Sequence, residues 1–329
     1  MGPVLEPGVE GESSFDTSKF IQSAIQEIRR SVGEEKVVCA VSGGVDSTVA
    51  AALLDRAIGE RLVSIFVDHG LMRKGEAELI AQIFKQRLRG EFIIVDARDR
   101  FLKRLKGVTD PEQKRRAIGD EFIAVFKEQA LARSNIGFLA QGTICSDVVE
   151  SGLGSETAIK SHHNVGGLPE QLGFKLIEPL RELYKDSVRL VGRELGLSEE
   201  IINRQPFPGP GLAVRIIGEV TAEKLRLLQE ADAIVCQEIE RSEYKHKVWQ
   251  FFAVLPGVNA VGAKSGRRVY GPVVAIRAVV STDGMTAGWA RLPYNLLGSI
   301  SGRLTGEIPS VARVVYDITP KPPGTIEWE

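Results

Sequence analysis

Apolar positions along this 329-residue chain fall into two alternating rhythms. Short, almost uninterrupted apolar runs at Val37–Val41, Leu62–Val67, Phe92–Val95 and Phe138–Ala140 read as strands buried on both faces. Between them stand stretches with helical periodicity: Asp16–Ser31, Thr48–Ile58, Glu76–Leu88 and Pro111–Ser134. This alternation predicts an α/β fold with a doubly wound parallel sheet, whose ligands bind outside the carboxyl ends of the strands. Asp68-His69-Gly70 and Gln141-Gly142-Thr143 follow strand ends and should frame the same crevice. The periodicity lapses from Asp147 to about Gly173, a length expected of a lid or binding loop, and helical segments return at Pro179–Gly196 and Ser198–Arg204.

The proline-dense Gln205-Pro-Phe-Pro-Gly-Pro-Gly211 marks a rigid linker and a domain boundary. Beyond it the pattern becomes α+β: a helix at Ala222–Arg241, strands near Val248–Val254, Val269–Val279 and Val311–Ile318, and a helix near Tyr294–Glu307. The expected division is a polar tail over 1–15, a nucleotide domain over 16–204 with its lid at about 147–173, and a smaller α+β domain over 205–329.

Composition narrows the classes. With 43% hydrophobic and 26% charged residues, and 42 Lys+Arg against 43 Asp+Glu, the net charge of −1 argues against a general nucleic-acid surface. No apolar run approaches membrane-spanning length and no signal peptide is recognisable, so no membrane partner and a cytoplasmic protein are expected. The three cysteines, Cys39, Cys145 and Cys236, form no Cys-x-x-Cys pair and sit in apolar contexts, which predicts free thiols.

The chemistry concentrates after the first strand. Ser42-Gly43-Gly44-Val45-Asp46-Ser47-Thr48 joins that strand to an alanine-rich helix. Paired glycines let the backbone approach a ligand closely. The helix N-terminus offers unpaired amides and partial positive charge, with Ser42, Ser47 and Thr48 as candidate hydroxyl donors to a phosphate. A Walker A loop would place a lysine here. This loop places Asp46 instead, and a carboxylate beside phosphates requires a divalent cation between them, so Asp46 is the candidate metal residue and Mg²⁺ the expected cofactor.

Ser-Gly-Gly-Val-Asp-Ser resembles the signature of the ATP pyrophosphatases, or PP-loop family, which split ATP between its α- and β-phosphates. Three further motifs make the resemblance narrower: Ile159-Lys-Ser-His-His-Asn-Val-Gly-Gly-Leu-Pro, Gln205-Pro-Phe-Pro-Gly-Pro-Gly-Leu and Arg313-Val-Val-Tyr-Asp-Ile-Thr-Pro-Lys321-Pro-Pro-Gly-Thr-Ile326-Glu327-Trp328-Glu329 resemble those of the GMP synthetase family, in family order, from about Phe20 to Glu329. What the resemblance implies is ATP-dependent amination of xanthosine 5′-monophosphate (XMP) to GMP, with ATP, XMP and ammonia as partners and AMP and pyrophosphate as products. It assigns ATP to Ser42, Gly43, Gly44, Val45, Asp46, Ser47, Val67 and Gly142, and catalytic or lid roles to Asp147, Glu150, Lys160, His162 and His163. Lys160 is the cation expected to reach the reacting centre, and His162 and His163 either order the loop or transfer a proton. XMP falls to Arg115, Gln205, Arg313, Lys321, Ile326 and Glu327, with Arg116 an alternative register for Arg115.

The resemblance also implies a homodimer built by the smaller domain. With the synthetase motif beginning at residue 42, the chain is expected to be a synthetase subunit taking ammonia free or from a separate glutamine amidotransferase subunit. Two rivals differ in class: another amide-forming pyrophosphatase, such as an NAD synthetase or tRNA-modifying ligase, and a nucleotide-binding module without catalysis.

Overall fold

The computed structural model describes residues 15–152, 173–264, 266–282 and 284–329. Helix α1 (Thr17–Val32) is capped by the Asp16 carboxylate, which accepts from Lys19 N at 2.9 Å. Strand β1 (Lys36–Ala40) then enters the core. Helix α2 (Val45–Ile58) follows the glycine loop and buries ten of its fourteen residues, which is why it carries almost no polar face. Strand β2 (Leu62–Asp68), helix α3 (Glu76–Arg87), strand β3 (Glu91–Asp96), helices α4 (Arg98–Leu105) and α5 (Pro111–Leu131), and strand β4 (Ile136–Ala140) continue the alternation.

These strands and β5 (Lys175–Ile177) form one parallel sheet in the order β3-β2-β1-β4-β5. The chain steps outward from β1 to β3, then crosses back to β4 on the other side of β1. The connections leaving β1 and β4 therefore diverge at their carboxyl ends, which opens a crevice there. Helices α1, α2 and α7 (Lys185–Glu194) pack on one face of the sheet and α4 and α5 on the other.

After the short helix α8 (Glu199–Ile202), residues Gly211–Arg215 make a wholly buried 3-10 turn. Helix α9 (Ala222–Glu240) leads to a second sheet in the order β10-β8-β6, in which β8 (Arg267–Val280) runs antiparallel to β6 (Gln250–Val254) and parallel to β10 (Arg313–Asp317). Strands β7 (Asn259–Lys264) and β9 (Gly288–Trp289) also pair with β8, and helix α10 (Tyr294–Glu307) carries the crossover to β10. One apolar cluster runs from Val38, Ile65 and Leu139 of the first sheet through Leu212 to Ile276 and Ile300 of the second region.

Several elements differ from the sequence pattern, among them strands β5, β7 and β9, which the apolar pattern did not predict. The stretch expected to lack secondary structure from Asp147 opens on helix α6 (Cys145–Gly152). Helix α4 buries only Phe101 and Leu105 among five charged residues, too few apolar positions for a periodic signal. Helix α7 starts at Lys185 rather than Pro179, because residues 179–182 form turns ahead of it.

Candidate active site

The loop between β1 and α2 takes its shape from Gly43, whose φ of 77° lies in the left-handed region. A Cβ at Gly43 would lie 2.1 Å from Ile80 Cδ1. Ser42 and Ser47 bridge the turn through their hydroxyls at 3.0 Å, and Ser47 Oγ also meets Ser42 N at 3.2 Å and Gly44 O at 3.1 Å. Gly44 caps α2 without a side chain, so no side-chain oxygen competes for the first-turn amides. The Thr48 hydroxyl departs from expectation: it is buried and donates to Gly44 O at 2.8 Å, so it ties the loop and does not face a ligand.

Asp46 lies in the first turn of α2. Its Oδ2 meets Lys185 Nζ at 2.5 Å, while its Oδ1 is buried without a hydrogen-bond partner among the described residues. Lys185 was invisible to motif reading, because it comes from the start of α7, 139 residues along the chain. A lysine absent from the loop is thus supplied by the fold. The metal question turns on Asp46: Mg²⁺ is commonly held by one or two carboxylates plus substrate phosphates. A buried carboxylate oxygen with no partner suits that role. Among the described residues there is no group of three or more His, Cys, Asp or Glu that could hold a metal without a substrate.

The walls of the crevice come from the neighbouring strands. Gly142, after β4, would place a Cβ 3.1 Å from Asp46 C and Ser47 N, so its lack of a side chain lets β4 approach the first turn of α2. Val67, the last fully buried residue of β2, lies in the core. Beyond it Asp68 accepts from Gly70 N, and His69 Nδ1 accepts from Leu71 N at 3.0 Å. Burial pushes His69 down to about 4, so it is neutral with its proton on Nε2. Asp147 caps α6: its Oδ2 accepts from Ile144 N at 3.1 Å. Lys160, His162 and His163 lie outside the described residues, as does the Glu150 side chain.

The residues assigned to XMP divide. Glu327 is held by Arg215, whose Nε and Nη2 each donate at 2.9 Å, and by Gln250 Nε2 at 3.1 Å. Burial lowers the Arg215 pKa, but Glu327 and Asp232 outweigh it and the net shift is upward. Gln205 Oε1 accepts from Phe251 N at 2.9 Å, and Ile326 packs beside Phe252 and Val254. Lys321 donates to Gly284 O at 2.8 Å, at the rim of an open cavity lined by Ser281, Thr282, Thr286 and Gly288. Arg313 is exposed on β10, its Nη2 3.4 Å from Val261 O.

Arg115 pairs with Glu112 on the exposed side of α5, and Arg116 is exposed. The buried member of that basic triplet is Lys114, which reasoning from the sequence did not single out. Its Nζ donates to Ile216 O at 2.7 Å and to the Glu329 carboxylate. Burial is the main cause that lowers its pKa, against the pull of Glu329. Arg277, fully buried on β8, was also missed. It donates to Thr319 O at 2.6 Å, Thr325 O at 2.9 Å and Ile326 O at 3.3 Å, and pairs with Asp317.

Residues 16–215 match the family model described as NAD synthase, and residues 237–328 match the GMP synthase C terminal domain. The glutamine-hydrolyzing GMP synthase of Carboxydothermus hydrogenoformans is 59% identical over 94% of this chain and 61% of its own length. That of Caldanaerobacter subterraneus subsp. tengcongensis is 58% identical over 96% of this chain and 62% of its own. The chain thus spans a little over three fifths of the curated relatives it matches. The solved NH3-dependent NAD synthetase from Campylobacter jejuni aligns with 59% of this chain and 80% of its own at 18% identity, with a TM-score of 0.44. By the larger of the two model matches, the chain belongs to the NAD synthase family, here joined in one polypeptide to a GMP synthase C terminal domain.

Proposed function

We propose that this chain is a carbon–nitrogen ligase that aminates XMP to GMP at the expense of ATP. The reading rests on one pairing: a lysine-free glycine loop at the carboxyl end of β1, and a GMP synthase C terminal domain whose tail is fixed by buried cations. The O2 oxygen of XMP attacks the α-phosphorus, the bond to the β-phosphate oxygen breaks, and pyrophosphate leaves. Ammonia then attacks C2, and the C2–O bond breaks with AMP as the leaving group.

The residues suit those roles. The open amides of α2, the Ser42 and Ser47 hydroxyls and Lys185 meet the charge that gathers on the departing pyrophosphate. Asp46 would hold Mg²⁺, which would supply positive charge to the departing pyrophosphate. Glu327, charged and acceptor-only, receives a purine N–H, and Lys321 receives the nucleotide phosphate at the cavity on which it lies. Lys160, outside the described residues, is the cation assigned to the reacting centre.

Incubation with Mg-ATP, XMP and ammonium, read for nucleotide products, tests this: AMP and GMP appear in equal amounts. ADP as product overturns it, and AMP formed with nicotinic acid adenine dinucleotide in place of XMP favours an NAD synthetase. Lys160→Ala is expected to abolish turnover and leave ATP affinity within about threefold, and removing Thr325–Glu329 raises the KM for XMP. Glutamine is expected to support synthesis when a separate glutaminase subunit is added, and sedimentation is expected to show a homodimer.

A further inference from the structure

The glycine loop and the C-terminal tail are joined by six side chains of alternating charge. Arg204 Nη1 donates to Gly43 O at 2.6 Å, inside the phosphate loop, and its other nitrogen pairs with Glu76. Glu76, buried at the start of α3, accepts from Arg73 N at 2.9 Å and lies 3.7 Å from Arg73 Nη1. Arg73 Nε stands 3.5 Å from Asp232 Oδ2, and Arg215 Nη1 stands 3.6 Å from Asp232 Oδ1. Arg215 then grips Glu327 with two hydrogen bonds. Three guanidiniums and three carboxylates compensate one another along this path.

The middle of the path differs from its ends. Asp232, on α9, is 1% exposed, and its Oδ1 is anchored on β6 through Ala253 N at 3.0 Å. Among the described residues neither Arg73 Nε nor Arg215 Nη1 has a hydrogen-bond partner, although both are buried. The two central links are therefore held by charge at distances where hydrogen-bond direction counts for little. Phe252 and Phe207 hold the Arg215 guanidinium, 3.9 and 5.3 Å from their ring centres, and Arg73 also lies over Phe207 at 4.4 Å. Those rings exclude water and keep the charge interaction strong. A second tie follows the same route: Gln229 Nε2 donates to Met72 O at 2.8 Å, and Leu212 N to Leu71 O at 2.7 Å.

We propose that Asp232 is a positioning residue that couples the phosphate loop to the tail, so that occupation of the loop by a nucleotide phosphate steadies Glu327 for the acceptor nucleotide. The inference rests on the loop binding ATP and the tail binding XMP, as read above. Fixing Gly43 by a bound phosphate fixes the carbonyl that Arg204 holds, and each further link is an ion pair to the next. Without the Asp232 charge, Arg73 and Arg215 face each other as like charges and the path is cut at its centre.

The test uses a non-hydrolysable α,β-methylene analogue of ATP with magnesium, and the whole chain. In the unaltered protein, the analogue is expected to slow hydrogen exchange in residues 319–329 and tighten XMP binding, each about tenfold. Asp232→Asn keeps the acceptor for Ala253 N and removes the charge. Both effects are expected to shrink below about twofold there, with analogue affinity changed less than about threefold. A residue with only a structural role would lower unfolding midpoint and both affinities together while leaving the response of the tail intact. Arg73→Lys, which keeps the charge but moves it off Asp232, serves where Asp232→Asn does not fold, and is expected to lose the same response. A bound analogue that leaves the tail unchanged in the unaltered protein, or a variant that responds like it, overturns the coupling alone. No binding of the analogue overturns the phosphate-loop reading as well.

Discussion

The glycine loop after β1 and the tail after β10 are built in opposite ways. The loop keeps capacity in reserve: among the described residues, α2 begins without a side-chain cap and one oxygen of Asp46 is buried without a partner. The tail keeps little. Lys114 takes Glu329, Arg215 takes Glu327, and Arg277 takes three main-chain carbonyls and Asp317. On the proposed reading, a loop that receives a triphosphate needs donors that bonds within the protein have not satisfied, whereas a tail that holds a purine edge at fixed distance needs acceptors that cannot move. Local spacing writes the first kind of site, and long-range pairing writes the second.

Breaking the tail should therefore cost most. Arg277→Met removes a fully buried cation and strands three carbonyls and Asp317 together. We expect a loss of about 3–5 kcal/mol in urea unfolding, the range found when one partner of a buried ion pair is removed. A loss below about 1 kcal/mol would mean that the tail is not fixed as described.

That contrast also explains what could be read from the sequence. Phe138-Leu139-Ala140 and Lys36–Ala40 announced their strands because both faces are buried, and Ser42–Ser47 announced the glycine turn between β1 and α2 because all its parts lie within six residues. The doubly wound sheet followed from their order. Lys185 and Asp232 could not be read: each acts on a partner far along the chain, at 139 positions for Lys185 and Asp46, and each stands in an ordinary helical context. Lys114 was hidden for another reason. In Lys114-Arg115-Arg116 only the turn of α5 decides which side chain faces inward, and Asp110, as the cap, sets that turn.

On the loop side, effects should be smaller and fall first on nucleotide binding. Gly43→Ala forces an L side chain into a left-handed backbone and against Ile80, at a cost of about 1–3 kcal/mol, with weakened ATP binding by calorimetry. Unchanged affinity would separate the Gly43 conformation from the phosphate site.

Acid sharpens the comparison next. His69 has a folded value of about 4 against 6.5 unfolded, because burial disfavours its charged form. The unfolded chain therefore binds the proton across that window, and this contribution is complete above pH 6.5 and lost as pH falls toward 4. Burial raises Asp68 beside it, which acts in the opposite direction. Between pH 7 and 4.5, His69→Gln is expected to abolish about 2 kcal/mol of acid destabilisation in urea titrations. An identical acid dependence in both proteins would place the acid-sensitive group elsewhere.

The smallest effect on stability is expected at the most informative position for chemistry. Lys185 is 43% exposed, and its pair with Asp46 lies at the rim of the crevice, where solvent screens it to about 1 kcal/mol or less. Lys185→Met should therefore shift unfolding only slightly. The same change removes the one lysine that the fold brings to the loop among the described residues, and frees Asp46 to repel phosphates. The KM for ATP is expected to rise about tenfold or more while the unfolding midpoint stays within a few degrees. A variant that lost stability and kept its ATP affinity would make Lys185 a strut of α7, and the reserve of charge at the loop would have to come from elsewhere.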